Sequence, residues 1–470
     1  MPAPRAVIEA LDRRFERTVA ELVELARIPG VSAPGFDPKE VERSAQKVAE
    51  LLADAGLERV EVLHQGDAHP YVVGEWLGAG PDAPTATFYA HHDVQPPGRL
   101  DRWQTPAFEP TLRADGRLYG RGVVDDKAGV LLHLAAMQAW LATTSALPIN
   151  VKFLVEGEEE IGSLHLAEFL RAHRERLDGD VVVLSDTQNL ATGLPSLTTS
   201  LRGLVAVDVS VRALDHPLHS GMWGGPVPDA ATTLAQVLAR LVDAAGGIAV
   251  PGLLDDVPEL DAEERARLAG LPYDEARFRA DSGMVAGARF AGAAGRSIYE
   301  RLWHQPALAV TALEGMPLAT AANQLMAEAH ARVGVRLAPG QDAGRVRDLL
   351  VEFIERDPPQ GVSVTARVVA SVPGWKTRSV GPAFEAARRA LRAGFGRDAV
   401  TIGCGASIPF VGPFSEVLGG VPSLLLGLED PPCNAHGENE SLDLDDFRKA
   451  ARASAHLLAE LGNRSRRDAC

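Results

Sequence analysis

Cysteine is scarce. The chain of 470 residues has three, Cys404, Cys433 and Cys470, and no CxxC spacing. A sparse, odd set does not make a disulfide framework, so a reducing, cytoplasmic home is expected. Positive charge is also in deficit. Against 63 Asp and Glu there are 47 Lys and Arg, a formal net charge of −16. Nucleic acids and anionic membranes are bound by basic patches, so neither is expected as a partner. Residues 1–30 carry charges throughout and have no apolar stretch of the signal-peptide kind. One uncharged run, residues 128–151, is long enough to span a bilayer. It contains His133, Gln138, Thr143, Thr144 and Asn150, with Pro148 near its end. A buried helix leading into a strand is the expected reading. Repeats, heptads and low-complexity tracts are absent.

What remains is a globular composition, 46% hydrophobic and 23% charged, with length enough for two domains. Residues 6–27 and 39–55 have apolar side chains at helical spacing, and Gly56 stops the second run. Short β-rich runs follow: ERVEVL, YVVGEWL, TATFYAHHDV, INVKFLVE and DVVVLSD. Apolar strands alternating with helices predict a mixed, mostly parallel sheet flanked by helices. At residue 201 the texture changes. LVAVDVSVRAL alternates apolar and polar residues, as do ALAVTALEG and LMAEAHARVGVRLAP, with helical runs at 228–245 and 342–356. That pattern predicts an inserted α/β sandwich with an antiparallel sheet. Residues 252–301 read as acidic and irregular. Helix–strand alternation resumes near residue 372. The expected division is an α/β domain of residues 1–200 and 375–470, interrupted by a smaller domain of residues 201–374.

Four charged clusters fall at the ends of predicted strands, where open α/β sheets bind ligands. In YAHHDVQPP, His91 and Asp93 are two apart and share one face of a strand. A metal-bound imidazole usually gives its other N–H to a carboxylate, and Asp93 could be that partner. A polar strand end reads the same. In LYGRGVVDDKAGV, Asp125 and Asp126 are adjacent at the start of the uncharged helix; a metal site and a helix N-cap both suit them. FLVEGEEEIGS has four carboxylates in five residues. Like charges this close raise a pKa, which suits a general base, and a solvated acidic loop is the plainer alternative. Asp186 ends VVVLSD, where a turn Asp also fits. His436, in CNAHGENES, sits in a loop before a helix. Together these residues are a mixed His/carboxylate set of the kind that holds zinc, manganese or cobalt.

AHHDVQPP, LYGRGVVDDKAG, EGEEEIGS, LHSGMWGG and AHGENE occur in one order along nearly the whole chain. In this the sequence resembles the dinuclear-zinc metallopeptidase family of carnosinase, bacterial dipeptidases, glutamate carboxypeptidase and aminoacylase. The resemblance implies a catalytic domain interrupted by a lid and dimerisation domain. It implies two divalent ions per subunit, Zn2+ by preference and Mn2+ or Co2+ as alternatives. One ion would take His91, Asp125 and Asp186, and the other Asp125, Glu160 and His436. Asp93 matches the acid that orients His91, and Glu159 the general base. His219, in LHSGMWGG, matches a histidine that reaches the partner subunit's site and stabilises an oxyanion. Asn323, Arg336 and Ser407 match substrate contacts. Where carnosinase has Glu, this sequence has Cys404. Asp rather than Glu at position 186 goes, in that family, with dipeptidase or aminopeptidase action.

The implied activity is metal-dependent hydrolysis of short peptides by a cytoplasmic homodimer. An N-acyl or N-carbamoyl amino acid hydrolase of the same fold is the alternative within enzymes. A non-catalytic, metal-dependent peptide-binding protein is the alternative outside them.

Overall fold

The computed structural model describes residues 1–292, 295–406 and 411–463. The chain forms two compact units. The larger is Met1–Thr199, Arg378–Ile402 and Pro409–Cys470; the smaller is Ser200–Thr377 and Gly403–Ile408.

In the larger unit the first helix, Arg5–Ala26, buries Val7, Leu11, Phe15, Leu22 and Leu25 along one stripe. Helix Pro38–Asp54 starts with Asp37 accepting the Lys39 N–H and with Pro38 in the first turn. The uncharged run is helix Lys127–Thr144 followed by strand Asn150–Glu156. Every residue from Lys127 to Met137 is buried. The helix packs against Arg5–Ala26, Leu444–Gly462 and strand Thr85–His91. Its polar groups are answered inside the fold. His133 lies between the hydroxyls of Ser454 (2.8 Å) and Ser185 (3.2 Å). Trp140 donates its indole N–H to the Ala455 carbonyl, and Lys127 donates to the carbonyls of Leu25 and Ile28 at the end of the first helix. Burial lowers the Lys127 pKa to about 7. Among the described residues no helix is long and apolar enough to cross a membrane.

The main sheet runs in the order Glu58–Leu63, Tyr71–Trp76, Asn150–Glu156, Thr85–His91, Val181–Gln188 and Ser423–Glu429. The first three pair antiparallel. The last four form a parallel block, with His91 beside Glu156, Tyr89 beside Leu184 and Leu184 beside Leu425. Thr85–His91, Asn150–Glu156 and Ser423–Glu429 are buried at every residue, which is why they read as continuous apolar runs. The parallel strands end at one edge, and the chemistry-bearing residues leave the sheet there. A second, three-stranded sheet pairs Arg117–Tyr119 with Ser441–Asp443. It brings the loop at 120–126 beside the loop at 434–440. Arg117 locks this pairing with a buried fork onto Asp430 (2.6 and 2.8 Å) and a bond to the Ser441 hydroxyl (2.9 Å).

The smaller unit holds a four-stranded antiparallel sheet, ordered Ala307–Glu314, Glu328–Leu337, Gly203–Arg212 and Ser363–Val372. Val205, Val207, Val209 and Val211 meet Ala331, Val333, Val335 and Leu337 in one core with helices Ala230–Ala239 and Ala343–Glu355. The two-residue period seen in the sequence is this one buried face. The acidic segment departs from its irregular expectation. It contains helices Ala262–Ala269, Glu275–Asp281 and Ile298–Trp303, whose N-caps are Asp261, Asp274 and Ser297. Two turns are too short to show a helical period, and two of the acids that made the segment look solvated are caps.

Asp430→Ala removes the bidentate partner of a buried ion pair and leaves Arg117 only the more distant Asp443 carboxylate, at 3.6 Å. Unfolding in urea should show a loss of about 3–5 kcal/mol. A loss below about 1 kcal/mol would mean that the Arg117 fork does not hold the two sheets together.

Candidate metal centre

His91 is the last residue of its strand and is fully buried. Its Nδ1 faces the Asp93 carbonyl (3.1 Å) and carboxylate (3.4 Å). Its Nε2 faces Asp125 Oδ1 (3.0 Å) and Asp186 Oδ2 (3.9 Å). Asp186 comes from the neighbouring strand, Val181–Gln188. The other Asp125 oxygen, Oδ2, lies 2.9 Å from His436 Nε2. Glu160 Oε2 lies 3.2 Å from that same nitrogen. Two triads result: His91, Asp125 and Asp186, and Asp125, Glu160 and His436. Each offers three ligand atoms within 4.8 Å of one another. Asp125 belongs to both, with one oxygen in each.

Hydrogen bonds from outside the triads aim these groups. Asp93 accepts from the Ser32 hydroxyl (2.6 Å) and from the backbone N–H groups of Glu159 (3.3 Å) and Glu160 (3.1 Å). Burial pushes its pKa up, but the His91 contact and the Ser32 bond outweigh that and hold it below the usual range. Glu160 accepts from the backbone and side-chain amides of Gln95 (3.0 and 2.8 Å). His436 sits in a left-handed backbone conformation (φ 63°). Arg121 donates to its carbonyl (3.0 Å) and pairs with Glu440 (2.6 Å). Glu440 also accepts from the N–H groups of Val124 (3.1 Å) and Asp125 (3.4 Å). One buried ion pair therefore fixes the ligand loops at 125 and 436 together.

The electrostatics are those of crowded carboxylates. Burial, with the charges of Asp126 and Asp125, raises the Asp186 pKa well above normal. Burial, with Glu160, Asp125 and Asp93 nearby, does the same to Glu159. Asp126, at the N-cap of the uncharged helix, rises to about 8 through burial and its neighbour Asp125. The His436 ring rises to about 11 because Asp125 and Glu160 both accept from it. Each Nε2 thus faces two carboxylates, and a single ring N–H cannot satisfy both. A divalent cation in each triad would replace that contest with metal–ligand bonds. Nitrogen and carboxylate donors, with His91 Nδ1 held by Asp93, suit zinc and its neighbours. The residues fit a pair of divalent ions.

Of the residues singled out in the sequence, the structure brings His91, Asp93, Asp125, Glu159, Glu160, Asp186 and His436 together in the larger unit. His219, Asn323 and Arg336 belong to the smaller one. There His219 pairs with Gln324 across a short ladder, and Ser220 donates to the Asn323 carbonyl (2.9 Å). Both His219 and Asn323 are exposed, while Arg336 is half-buried on strand Glu328–Leu337. Ser407 lies outside the described residues. Cys404 is a buried thiol outside any disulfide, and its sulfur accepts from the Ala406 N–H (3.4 Å). Ser32, Gln95 and Glu429 were not singled out. Arg121 and Glu440 lie inside motifs already quoted, but nothing local in the sequence signals that two residues 319 apart pair.

A model of the peptidase family M20/M25/M40 matches residues 87–460. The chain is 31% identical over 424 residues to the cysteinylglycine-S-conjugate dipeptidase of Corynebacterium striatum, covering 90% of each protein. Its fold superposes on human carnosine dipeptidase 1 with a TM-score of 0.88 at 27% identity, covering 98% of this chain and 100% of that one. It superposes on the di-peptidase Dug1p from Saccharomyces cerevisiae with a TM-score of 0.87 at 25% identity, covering 98% of both chains.

Glu440→Gln should keep the shape of the Arg121 contact and remove its charge. The loosened ligand loops should cost about 10- to 100-fold in metal affinity, read by competition with a chromogenic chelator. Unchanged affinity would show that the pair does not support the ligands.

Proposed function

The chain belongs to the peptidase family M20/M25/M40, and on that premise we propose that it hydrolyses the amide bond of dipeptides or other short peptides at a centre of two divalent ions. The observation that carries this reading is Asp125, whose two oxygens serve two separate triads beside an unengaged Glu159. The first triad would hold one ion and the second the other, zinc by preference and manganese or cobalt as substitutes. When bound, such a pair of ions supplies Lewis-acid polarisation and lowers the pKa of a nearby water.

The protein's own groups would do the rest. Among the described residues, no hydrogen bond or ion pair occupies the Glu159 carboxylate. Its backbone N–H is pinned to Asp93, so the side chain is placed while its oxygens stay free to take a proton from water. The same carboxyl would return that proton to the departing amine. Asp93 keeps His91 Nδ1 engaged and so presents Nε2 to the first triad. His219 would stabilise the developing oxyanion from the lid of a partner subunit. Arg336, Asn323 and Ser407 would hold the substrate's backbone oxygen and carboxylate; guanidinium–carboxylate pairing is the reason for Arg there. The smaller unit, which departs from and returns to the larger one, is proposed as lid and dimerisation domain. Cysteines kept as thiols rather than disulfides at Cys404 and Cys433 support a cytoplasmic home.

Dipeptides are favoured over N-acyl or N-carbamoyl amino acids by Asp at position 186. The dipeptidases of C. striatum, human and yeast point the same way. Metal-stripped protein should be inactive on a dipeptide panel and regain activity with zinc, manganese or cobalt. Cleavage of N-acyl or N-carbamoyl amino acids alone would keep the site and overturn the substrate. Glu159→Gln should lower kcat at least about 10³-fold, within the span of general base catalysis, with metal content unchanged. Substantial residual activity would remove Glu159 from the base role. His219→Ala and Glu159→Gln, each inactive alone, should regain partial activity when mixed, because the mixed dimer contains one intact pair. No recovery would place His219 outside a shared site.

A further inference from the structure

The four parallel strands end at one edge, yet only some supply a metal ligand. Thr85–His91 supplies His91 and Val181–Gln188 supplies Asp186. Ser423–Glu429, which lies beside Val181–Gln188, ends on a carboxylate that belongs to neither triad. Glu429 stands in register with Gln188, two residues beyond Asp186.

Its surroundings are unusual even in this acidic centre. Glu440 has Arg121, and Asp93 has Ser32 and two backbone amides. Glu156 accepts from the Tyr89 hydroxyl (2.6 Å), and Asp126 accepts from the His91 N–H (3.3 Å). Both are sealed, with no exposed surface. Among the described residues Glu429 makes no side-chain hydrogen bond and no ion pair, and it retains 8% exposure. The charges of Asp125, Glu440 and Asp126 act on it, and the His436 ring is the cation that opposes them. Cys433 nearby is a neutral thiol, raised in pKa by burial and by Glu429, and offers no positive charge. A nearly buried carboxylate that is neither ligand, ion-paired nor sealed is costly unless something else answers it.

We propose that Glu429 receives the free α-ammonium group of the substrate. This rests on the dipeptide reading above. A dipeptide carries one fixed cation, and it lies one carbon from the carbonyl under attack. A carboxylate at the end of the strand that pairs with the Asp186 strand is therefore where that ammonium arrives. Substrates with a blocked amine leave Glu429 buried and unanswered, which penalises them by the loss of a charge-assisted bond. Specificity for a free N-terminus would then come from this residue as well as from Asp186.

The test compares alanyl-alanine with propionyl-alanine, which lacks only the amino group, on metal-loaded wild type, Glu429→Gln and Glu429→Asp. Wild type should bind alanyl-alanine the more tightly. Glu429→Gln should raise its KM by about 10- to 100-fold, with kcat changed much less. The inhibition constant of propionyl-alanine should move less than about 3-fold, because that ligand never used the charge. Glu429→Asp keeps the charge and should fall between. Metal content should stay at the wild-type level in both variants. Equal weakening of both ligands, or loss of metal, would overturn the assignment while leaving the dipeptidase reading intact. Wild type that cleaves no free dipeptide would overturn both.

Discussion

One carboxylate organises this centre. Asp125 is almost fully buried and faces a different imidazole with each oxygen, His91 at 3.0 Å and His436 at 2.9 Å. Those two histidines are 345 residues apart in sequence and have no local reason to meet. The small sheet formed by Arg117–Tyr119 and Ser441–Asp443 makes them meet, and the Arg121–Glu440 pair then fixes the meeting to the scale of a bond. Without that sheet the second triad would lose His436 and the first would remain.

The same crowding explains why so many supporting groups are buried. Asp93, Asp125, Asp126, Asp186, Glu156, Glu159, Glu160, Glu429 and Glu440 all end near one edge of the sheet. Each would be expensive alone. Hydrogen bonds from Ser32, Gln95, Tyr89 and backbone amides neutralise some of that cost, and Arg121 neutralises more. The remainder, raised pKa values at Asp186 and Glu159, has no internal answer. Divalent cations are the answer consistent with the donor set. Local charge excess is here the condition for function, because pKa values displaced this far mark groups poised to exchange protons or bind metal.

Much of this was legible in the sequence, for reasons that can be named. Strands buried on both faces read as apolar runs, and the valine ladder of the smaller unit reads as alternation because one face is buried. The two candidate triads were readable because their residues lie in short, fixed-order motifs, most of them at strand ends. What was not legible had weak local signals. The helices that begin within residues 252–301 span at most little more than two turns. Ser32 and Gln95 are ordinary loop residues whose importance comes from the carboxylates they meet. Glu429 followed an apolar run like any strand end, and only the register beside Val181–Gln188 placed it next to the centre. Long-range pairing decides such positions, and periodicity does not carry it.

The two units also differ in the sign of their uncompensated charge. The larger unit gathers carboxylates beyond what its arginines answer. In the smaller unit Arg202 is half-buried and donates to the carbonyls of Gly405 and Gln305, and among the described residues it makes no ion pair. Burial and then the charge of Arg336 lower its pKa to about 10. Cys404 lies close enough to both guanidiniums to influence them. A glutamate at that position would cancel much of this positive field, and a neutral thiol leaves it standing. A free dipeptide is a zwitterion with an ammonium at one end and a carboxylate at the other. Under the proposed dipeptide reading, Arg202, whose hydrogen bonds go to carbonyls, is the group in the smaller unit suited to the carboxylate end of such a molecule.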